Sequence, residues 1–540
     1  MLVREGRAES RRTRKRAAGQ NTAQYKIHTI PAPVRGWSTA QGLISADPRT
    51  ARVLDNYFPE QDMARLRGGS DLHATIGNDP VSALFNYKTA SAEKRFAADA
   101  SAIYDRTAPA DPEVPPSAAV SGQTGGYYST QQFATAGGEF LYAVNGADSA
   151  QLFDGSSWAA ITGVSTPAIT GVTTSELSHV WSYRNRLYFV QVDTLSAWFL
   201  PVDSIGGAAT EISLAGIFQR GGSLLFGATW SLDAGDGIDD KWVAVSTEGE
   251  VAVYEGSYPG GSDWSLVGRY EINAPLGKNA IMQAGGDLLI ASNDGIVPVS
   301  AIIQKDPAAL AMAAVTREIE PDWRVAVRDR SDIPWELLKW PGKKRMIVGL
   351  PSIIDTTAPM VFVANLETGA WCRYPGWDVR SLSLFGSGAY AGTSTGTIIA
   401  LDTASGTDQG MPYTGVYVSQ FSDLGSPGQA KHVIMARATY LSGRPFNAKL
   451  TATTDYQIDI PAVPKSVDNY STGNEWDVGL WDVAVWDGGG IQEVNASWEG
   501  IGVTGYAIAP VLQITSGTNL APDVGIVSID LTYEPGAVLV

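Results

Sequence analysis

Cysteine and histidine are scarce in this chain. The single cysteine, Cys372, excludes an intramolecular disulfide, and the four histidines (His28, His73, His179 and His432) lie too far apart in sequence for the spacing of zinc ligands. No apolar run approaches the roughly 20 residues that span a bilayer. The sequence after the basic start, QNTAQYKIHT, also lacks the apolar region of a secretory signal. We therefore expect a protein that is made in the cytoplasm and has neither a zinc site nor a membrane span.

Charged residues are also few, and they are unevenly distributed. They make up 18% of the chain against 44% hydrophobic residues, and the 58 glycines indicate a folded protein with many turns. Residues 1–16, MLVREGRAESRRTRKR, contain seven basic and two acidic residues, which gives this segment a net charge of +5. The other 32 basic and 54 acidic residues give the rest of the chain a net charge of −22.

The basic arm has two interpretations. It is either a solvated, frayed terminus or a segment that contacts an acidic partner. In the second case the contacting residues are Arg11, Arg12, Arg14, Lys15 and Arg16. The acidic body argues against a protein that grips duplex DNA, because such binding requires neutralisation of phosphates. If the protein meets DNA, we expect the DNA to slide past it without sequence-specific binding.

A weak internal repeat organises the middle of the chain. Seven units each contain an alternating apolar run, a small polar turn and a second apolar run, which is the pattern of a β-hairpin. The hairpins begin at Phe96, Leu141, Leu187, Trp242, Leu288, Met346 and Ala389, so successive starts are 45, 46, 55, 46, 58 and 43 residues apart. Most units follow a further strand and turn. Three to four short strands in every ~40–50 residues are typical of the blades of a β-propeller.

The sequence therefore predicts an all-β chain with a β-propeller of about seven blades at residues 81–410. Ring closure is favoured because a blade buries its faces only against neighbouring blades. The alternative is a pair of ordinary β-sandwiches with coincidental spacing. After about residue 410 the period is lost, and irregularly spaced strands predict a C-terminal β-sandwich or platform domain at residues 411–540. Residues 1–24 form the basic arm, and residues 25–80 are expected to add an N-terminal β segment to the platform.

Two short motifs that can carry chemistry do not fit their context. The G-x-S-x-G pattern around Ser394 lies between two strands, whereas a nucleophile elbow needs a strand followed by a helix. The acidic loop DAGDGIDD, residues 233–240, lacks the alternating ligand order of an EF-hand. We interpret it as a solvated loop, with calcium binding as the alternative. Since acid–base and nucleophilic groups are few, we predict no catalytic residues and no cofactor.

Three Trp-Asp pairs occur in WDVGLWDVAVWDGGG, residues 476–490. Trp476, Trp481 and Trp486 recur every five residues and lie outside the repeats, so they do not mark one blade each. An odd spacing places successive rings on opposite faces of a regular strand. Tryptophan is enriched at contact surfaces. These residues are therefore either packed onto the sandwich or a neighbouring subunit, or available to a sugar or another partner.

The segment RVLDNYFPEQDMARLRGG, residues 52–69, resembles the N-terminal region of tail nozzle proteins of short-tailed bacteriophages, also called packaged-DNA stabilisation proteins. The resemblance is carried by Ala51, Leu54, Asn56, Phe58, Pro59, Arg67 and Gly69. The local chemistry agrees, since Pro59 lacks an N–H and is expected to end a strand at residues 53–58. Gly68 and Gly69 permit the next tight turn.

Other segments extend the resemblance over both ends of the chain. They are VRGWSTAQGLISADPRTA before this segment and, later, KHVIMARATYLSGRPFNAKLTATTDY and NEWDVGLWDVAVWDGGG. The basic arm before about residue 25 departs from the family's pattern.

The resemblance implies a structural, non-enzymatic protein of the virion tail. Members of the family form a homo-hexameric ring below the portal and its adaptor, extend the DNA exit channel and help to retain the packaged genome. Tail fibres or spikes dock nearby. In this chain we expect the N- and C-terminal modules to form the ring, the propeller to be an insertion between them, and the acidic surface to repel DNA phosphates in the lumen.

Two other classes of function are open at this stage. A receptor- or carbohydrate-binding virion or adhesion protein would use Trp476, Trp481 and Trp486, or loops of the blades, as a stacking platform. A cellular propeller enzyme would need a polar funnel on the propeller axis in which acid and base groups converge.

Overall fold

The computed structural model describes residues 25–42, 46–109, 116–231, 240–304, 306–353, 356–466, 493–517 and 519–538. In these residues the chain consists mainly of β-strands arranged in small, mostly antiparallel sheets, as the all-β prediction requires. No helix in the described part of the chain is long and apolar enough to cross a membrane.

The N-terminal part of the described chain contains five short strands, and the chain breaks between the second and the third. They are β1 (Lys26–Pro31), β2 (Ala51–Asp55), β3 (Tyr57–Pro59), β4 (Ala64–Leu66) and β5 (Gly69–Thr75). The prediction of one strand over residues 53–58 is wrong, because the chain breaks at Asn56, whose φ is +61°. Asparagine tolerates this left-handed conformation better than most residues do. As a result, β2 and β3 belong to different sheets.

Small sheets follow, and we number those of the described residues from 1 to 7 in chain order. Sheet 1 contains β6 (Ala83–Lys88), β7 (Glu93–Ala98), β8 (Ala102–Asp105) and β9 (Ala118–Ser121). Sheet 2 contains β10 (Ser129–Thr135), β11 (Gly138–Val144), β12 (Gln151–Phe153) and β13 (Trp158–Ala160). The short strand β14 (Ile169–Thr170) precedes sheet 3 in the chain. Sheet 3 contains β15 (Leu177–Tyr183), β16 (Arg186–Gln191), β17 (Ser196–Phe199) and β19 (Thr210–Ser213). Another short strand, β18 (Gly207–Ala208), lies between β17 and β19 in the chain. β14 and β18 pair with each other in parallel.

The remaining small sheets repeat this antiparallel order. Sheet 4 contains β20 (Leu224–Trp230), β21 (Lys241–Ser246), β22 (Glu250–Glu255) and β23 (Ser265–Glu271). Sheet 5 contains β24 (Ile281–Ala284), β25 (Asp287–Ser292) and β26 (Gly295–Pro298), and two helices follow it, α1 (Val299–Ile302) and α2 (Glu320–Arg330). Sheet 6 contains β27 (Glu336–Trp340), β28 (Arg345–Leu350), β29 (Met360–Asn365) and β30 (Trp371–Pro375). Sheet 7 contains β31 (Ser381–Phe385), β32 (Gly388–Gly392), β33 (Thr397–Thr403) and the early strand β5.

Helix α2 is the longest helix of the described residues, at 11 residues. A proline stands in its first turn, acidic residues lie near its start, and Arg328 and Arg330 lie in its last turn. This arrangement suits the helix dipole. Trp323 is fully buried and its Nε1 donates a hydrogen bond to the carbonyl oxygen of Ser292, 3.0 Å away. The helix therefore packs beside sheet 5, which has one strand fewer than its neighbours.

Hydrophobic clusters join each small sheet to the next. Separate clusters link sheets 1 and 2, 2 and 3, 3 and 4, and 4 and 5, and a larger cluster runs through sheets 5, 6 and 7. A further cluster links sheet 7 back to sheet 1, where Ala74 and Ile398 pack with Leu84 and Ala97. The first strands of these two sheets, β31 and β6, are also in contact.

The two ends of the chain contribute strands to a common region. The last strands are β34 (Thr414–Ser419), β35 (Gln429–Ser442), β36 (Asn447–Thr454), β37 (Glu493–Gly505), β38 (Ile508–Thr515) and β39 (Val524–Val538). The sheet with the order β3-β4-β39-β35-β37, in which β1 also pairs with β39, is called the terminal sheet below. The other strands, in the order β2-β34-β38-β36, extend sheet 6 beyond β30. Residues from both sets share one hydrophobic core, among them Tyr57, Val433, Leu512 and Leu531.

Candidate functional site

The segment that resembles the phage family lies where β2 joins sheet 6 to the terminal strands, a place that we call the junction. The backbone N–H of Asn56 donates to the carbonyl oxygen of Arg373 in β30 at 2.8 Å. Its side-chain Nδ2 donates to the carbonyl oxygen of Thr414 in β34 at 2.7 Å. Beside it, the guanidinium of Arg373 forms a two-pronged ion pair with Asp55, with distances of 2.7 and 3.1 Å. Asn56 thus connects the strands on both sides of β2.

Arg67 is the central side chain of the junction. Its Nε donates to Oδ1 of Asn56 at 2.8 Å, and its two terminal nitrogens donate to the carboxylate of Asp408 at 2.9 and 2.6 Å. The guanidinium also lies 4.1 Å from the ring centroid of Tyr413 and 4.6 Å from that of Trp377. Because the arginine side chain is completely buried, this combination of paired charge and aromatic contact compensates for its desolvation.

Two glycines after Arg67 allow the chain to enter sheet 7. A Cβ atom at Gly68 would lie 1.9 Å from the carbonyl oxygen of Thr403, and one at Gly69 would lie 2.0 Å from that of Thr407. The backbone N–H of Gly68 donates to Asp402 at 2.7 Å. Burial alone would raise the pKa of this carboxylate, but the charges of Arg345 and Lys343 outweigh it and hold the pKa at about 2. The glycines are therefore required by close backbone approach.

All seven residues that carry the family resemblance are buried. Several of them hold the junction together through main-chain and side-chain bonds, and none is available on the surface to bind a ligand. The segment acts in the described structure as a structural connection between sheet 6, sheet 7 and the terminal strands.

A second feature is a cavity of about 1370 Å³ that is lined by the first strand of every small sheet. Its wall contains residues of β6, β10, β15, β20, β24, β27 and β31. The charged side chains in the wall are Arg184, Asp240, Lys278, Asp287, Glu336 and Lys339, which include equal numbers of positive and negative groups. The described part of the wall is therefore polar and contains charged groups of both signs.

Lys278 connects sheets that are distant in sequence. It is 6% exposed, and its Nζ donates to the carbonyl oxygens of Tyr127 at 2.8 Å and Ser178 at 2.6 Å. These acceptors stand before β10 and within β15, whereas Lys278 precedes β24. Burial lowers the pKa of Lys278 to about 7, and the nearby carboxylate of Glu336 opposes this shift only in part.

Glu336 extends the same network to sheets 6 and 7. One carboxylate oxygen accepts a hydrogen bond from Nδ2 of Asn279 at 3.0 Å, and the other accepts one from the backbone N–H of Leu382 at 2.6 Å. Burial raises the pKa of Glu336 to about 7, although these hydrogen bonds and Lys278 oppose the shift. We call Lys278, Asn279 and Glu336, with their bonds to sheets 2, 3, 6 and 7, the cavity bracket.

His179 lies in the same wall as the bracket. Its Nε2 is 2.9 Å from the carbonyl oxygen of Gly227, and its Nδ1 is 2.8 Å from Oγ of Ser129. Burial lowers the pKa of His179 to about 3, so the ring is neutral at physiological pH. It therefore connects sheets 2, 3 and 4 as an uncharged hydrogen-bonding group.

A lysine and a carboxylic acid with pKa values near 7 have the properties of an acid–base pair. In the cavity bracket, however, Nζ of Lys278 already donates to two carbonyl oxygens, and each oxygen of Glu336 accepts an N–H. Such bonds satisfy buried polar groups and fix neighbouring sheets. The geometry is that of a structural network inside a polar cavity.

The structure gives no geometry for the contact residues predicted from the sequence. Arg11, Arg12, Arg14, Lys15, Arg16, Trp476, Trp481 and Trp486 all lie outside the described residues. Of the acidic loop at 233–240, only Asp240 is described. Among the described residues, no group of three His, Cys, Asp or Glu side chains is arranged to hold a metal ion.

Ser394 lies in the turn between β32 and β33, where its hydroxyl donates to Asp378 at 2.5 Å. The next element is a strand, so the helix of a nucleophile elbow is absent at this position, as the sequence context indicates.

Sequence reasoning missed the residues of the cavity bracket. The available signal was a charged or amide side chain at the start of an apolar strand, as in GKNAIM for Lys278 and Asn279 and in PWELLKW for Glu336. Such residues are buried only because the first strands of several sheets converge, which no local pattern reveals.

No protein-family model and no curated protein matches the chain. Among solved structures, the computationally designed Ika8 protein aligns with a TM-score of 0.34 and 11% identity over 62% of this chain and 100% of that one. Raptor of Chaetomium thermophilum aligns with a TM-score of 0.36 and 11% identity over 63% of this chain and 29% of that one. BBS1N, solved in complex with ARL6DN, aligns with a TM-score of 0.38 and 10% identity over 65% of this chain and 98% of that one. Alignments at this level carry no argument about the function of this chain.

Proposed function

We propose that the chain is a tail nozzle protein of a short-tailed bacteriophage. In this proposal six copies form a ring below the portal and its adaptor, extend the DNA exit channel and help to retain the packaged DNA until ejection. The observation that carries the proposal is the position of the family-like residues. All seven are buried, and they cluster at and around one junction, so the resemblance involves a part of the fold rather than a short surface motif.

The proposed fold is a seven-bladed β-propeller inserted between the two halves of a platform. Three observations support it: hydrophobic clusters follow one another from sheet 1 to sheet 7, a further cluster joins sheet 7 to sheet 1, and β5 from the N-terminal part completes sheet 7. An early strand that pairs with the last sheet is a means of closing such a ring, because it leaves no long unpaired gap. The two sets of terminal strands then form the platform.

The lumen for DNA would be formed by the ring of platforms and not by the cavity between the small sheets. The cavity bracket ties sheet 5 to sheets 2, 3 and 6, and Glu336 ties sheet 6 to sheet 7, so this cavity is crossed by bonds between its walls. The net charge of −22 outside the arm suits a ring that DNA passes without adhering.

The decisive experiment is quantitative mass spectrometry of purified particles of the phage or prophage whose genome encodes this chain. The nozzle proposal requires half as many copies of this chain as of the portal protein. A higher ratio, similar to that of the fibres, would favour a receptor- or carbohydrate-binding virion protein. Absence from the particles would contradict a virion role.

The second candidate is a cellular propeller enzyme, and the observation that favours it is the Lys278–Glu336 pair in a polar cavity. We rank it lower because both side chains are engaged in bonds between sheets. A hydrolase and lyase substrate screen that compares the wild type with E336Q tests this candidate. Turnover that is lost in a folded E336Q variant would support the enzyme.

A further inference from the structure

Within the described residues, the terminal sheet has at each side a strand that is paired along one edge only. β39 and β35 lie between β1 and β37, and in the described part of the chain β1 pairs only with β39 and β37 only with β35. β37 is 13 residues long and contains no proline, lysine or arginine. Natural edge strands are commonly protected by such residues or by bulges. The pairing of β37 is irregular between Gly500 and Val503, so the regular stretch Glu493–Gly500 is the template for pairing with another chain.

The directions of the two free strands are compatible with each other. β1 is antiparallel to β39, β39 is antiparallel to β35, and β35 is antiparallel to β37. β1 and β37 of one copy therefore run in opposite directions. If the sheet continues into a second copy, β1 of that copy meets β37 as an antiparallel neighbour, which is the more stable type of pairing.

Exposed apolar side chains lie on the same outer face near both edges. The cross-strand partners Ile27, Thr532, Met435 and Gly500 form one row of this face, and Trp498 lies in the adjacent row opposite Arg437. Ile27 is 67% exposed, Trp498 38% and Met435 37%. In a continued sheet, Ile27 of one copy would lie beside Trp498 and Gly500 of the next, and such cross-strand pairs bury apolar surface.

The charges of the two strands are complementary. β1, KIHTIP, carries Lys26 and no carboxylate, whereas both charged residues of β37, EVNASWEGIGVTG, are glutamates. Opposite charges on facing strands stabilise a pair, and like charges oppose the pairing of two β37 strands with each other. The complementarity thus favours β1 with β37 over a symmetric contact.

We propose that β1 of one copy pairs antiparallel with β37 of a second copy, so that the terminal sheets continue from subunit to subunit. The contact is heterologous, since it uses two different surfaces, and it closes into a ring when the rotation between copies permits. The inference rests on the ring assembly of the proposed function and assigns the strands that build it.

Engineered disulfides test this pairing in the full-length chain. In one copy Ile27 and Trp498 are separated by three strand spacings, about 14 Å, which is beyond the reach of a disulfide. The native Cys372 is buried. The double variant I27C/W498C should therefore give a ladder of covalent oligomers up to the hexamer on a non-reducing gel after mild oxidation. Each single variant should not extend beyond a dimer. The pair I27C/G500C covers the adjacent register.

A matched control uses two exposed apolar residues that lie away from the terminal sheet. V164C/Y258C introduces cysteines at sites that are 95% and 37% exposed and should not give the ladder. Unchanged circular dichroism and melting temperatures establish that all variants fold.

The outcomes separate this inference from the proposed function. Hexamers in sedimentation without a ladder from either double variant would overturn the strand pairing and leave the nozzle proposal intact. A monomer at every concentration would also overturn it. A specific ladder from a chain that is absent from phage particles would support the pairing and contradict the nozzle.

Discussion

The titration of Glu336 should be visible in the stability of the protein. Burial raises its pKa from the ordinary 4.5 to about 7, so between these values the folded chain holds a proton that the unfolded chain releases. The stability from this group is fully present below pH 4.5 and is lost as the pH rises through 7. We expect the free energy of unfolding of the wild type to fall over this range by up to ~3 kcal/mol relative to that of E336Q.

Urea denaturation at several pH values measures this difference. E248Q, at an exposed glutamate, is the control and should follow the wild type. Parallel curves for E336Q and the wild type would show that Glu336 does not hold the proton.

Arg67 should not tolerate lysine, although the charge is kept. Lysine cannot form the two-pronged pair with Asp408 or stack on Tyr413 and Trp377 as the guanidinium does. We expect R67K to lower the free energy of unfolding by about 2 kcal/mol. The matched control is R35K, at an exposed arginine that also pairs with an aspartate, and it should cost little. Equal effects of the two variants in denaturant titrations would contradict the central role of Arg67.

Among the elements, β5 depends on the two glycines that precede and begin it. A Cβ atom at Gly68 would lie 1.9 Å from the backbone carbonyl oxygen of Thr403. Because that oxygen belongs to β33, G68A should displace the start of β5 from β33. We expect a cost of at least about 1–3 kcal/mol, with faster amide exchange in β5 and β33 and little change in β35 and β39. G216A, where a Cβ meets nothing within 4 Å, is the control. Uniform exchange changes over the whole chain would argue against a local effect.

The strands of the small sheets show what local sequence predicts well. Each predicted hairpin start, from Phe96 to Ala389, lies in the second strand of a small sheet, because alternation and turn residues report directly on adjacent antiparallel strands. The break at Asn56 was not predicted. The apolar pattern does not show that β2 pairs with β30 on one side and with β34 on the other. It therefore gives no sign of the left-handed residue that separates β2 from β3.

For the whole molecule, the basic arm should matter to assembly and not to folding. The sequence gives it a net charge of +5 beside an acidic body, so it is expected to bind the surface of a neighbouring subunit. Removal of residues 1–24 should leave the melting temperature unchanged and weaken the hexamer in sedimentation experiments.

Glutamine at Arg11, Arg12, Arg14, Lys15 and Arg16 should weaken the hexamer as the truncation does, and added salt should reduce the difference from the wild type. Unchanged assembly and incorporation into particles would contradict a role for the arm.

The sequence by itself determined the all-β class, the repeated hairpins and the separation of charge between the arm and the body, because each follows from composition or from neighbours along the chain. Tertiary structure decided which distant segments meet. Only the folded chain places β5 beside β33, β2 between β30 and β34, and Lys278 on the carbonyl oxygens of Tyr127 and Ser178. These contacts join residues that are 100 or more positions apart. The roles of those residues therefore depend on burial and strand pairing in the folded chain, which local sequence patterns do not reveal.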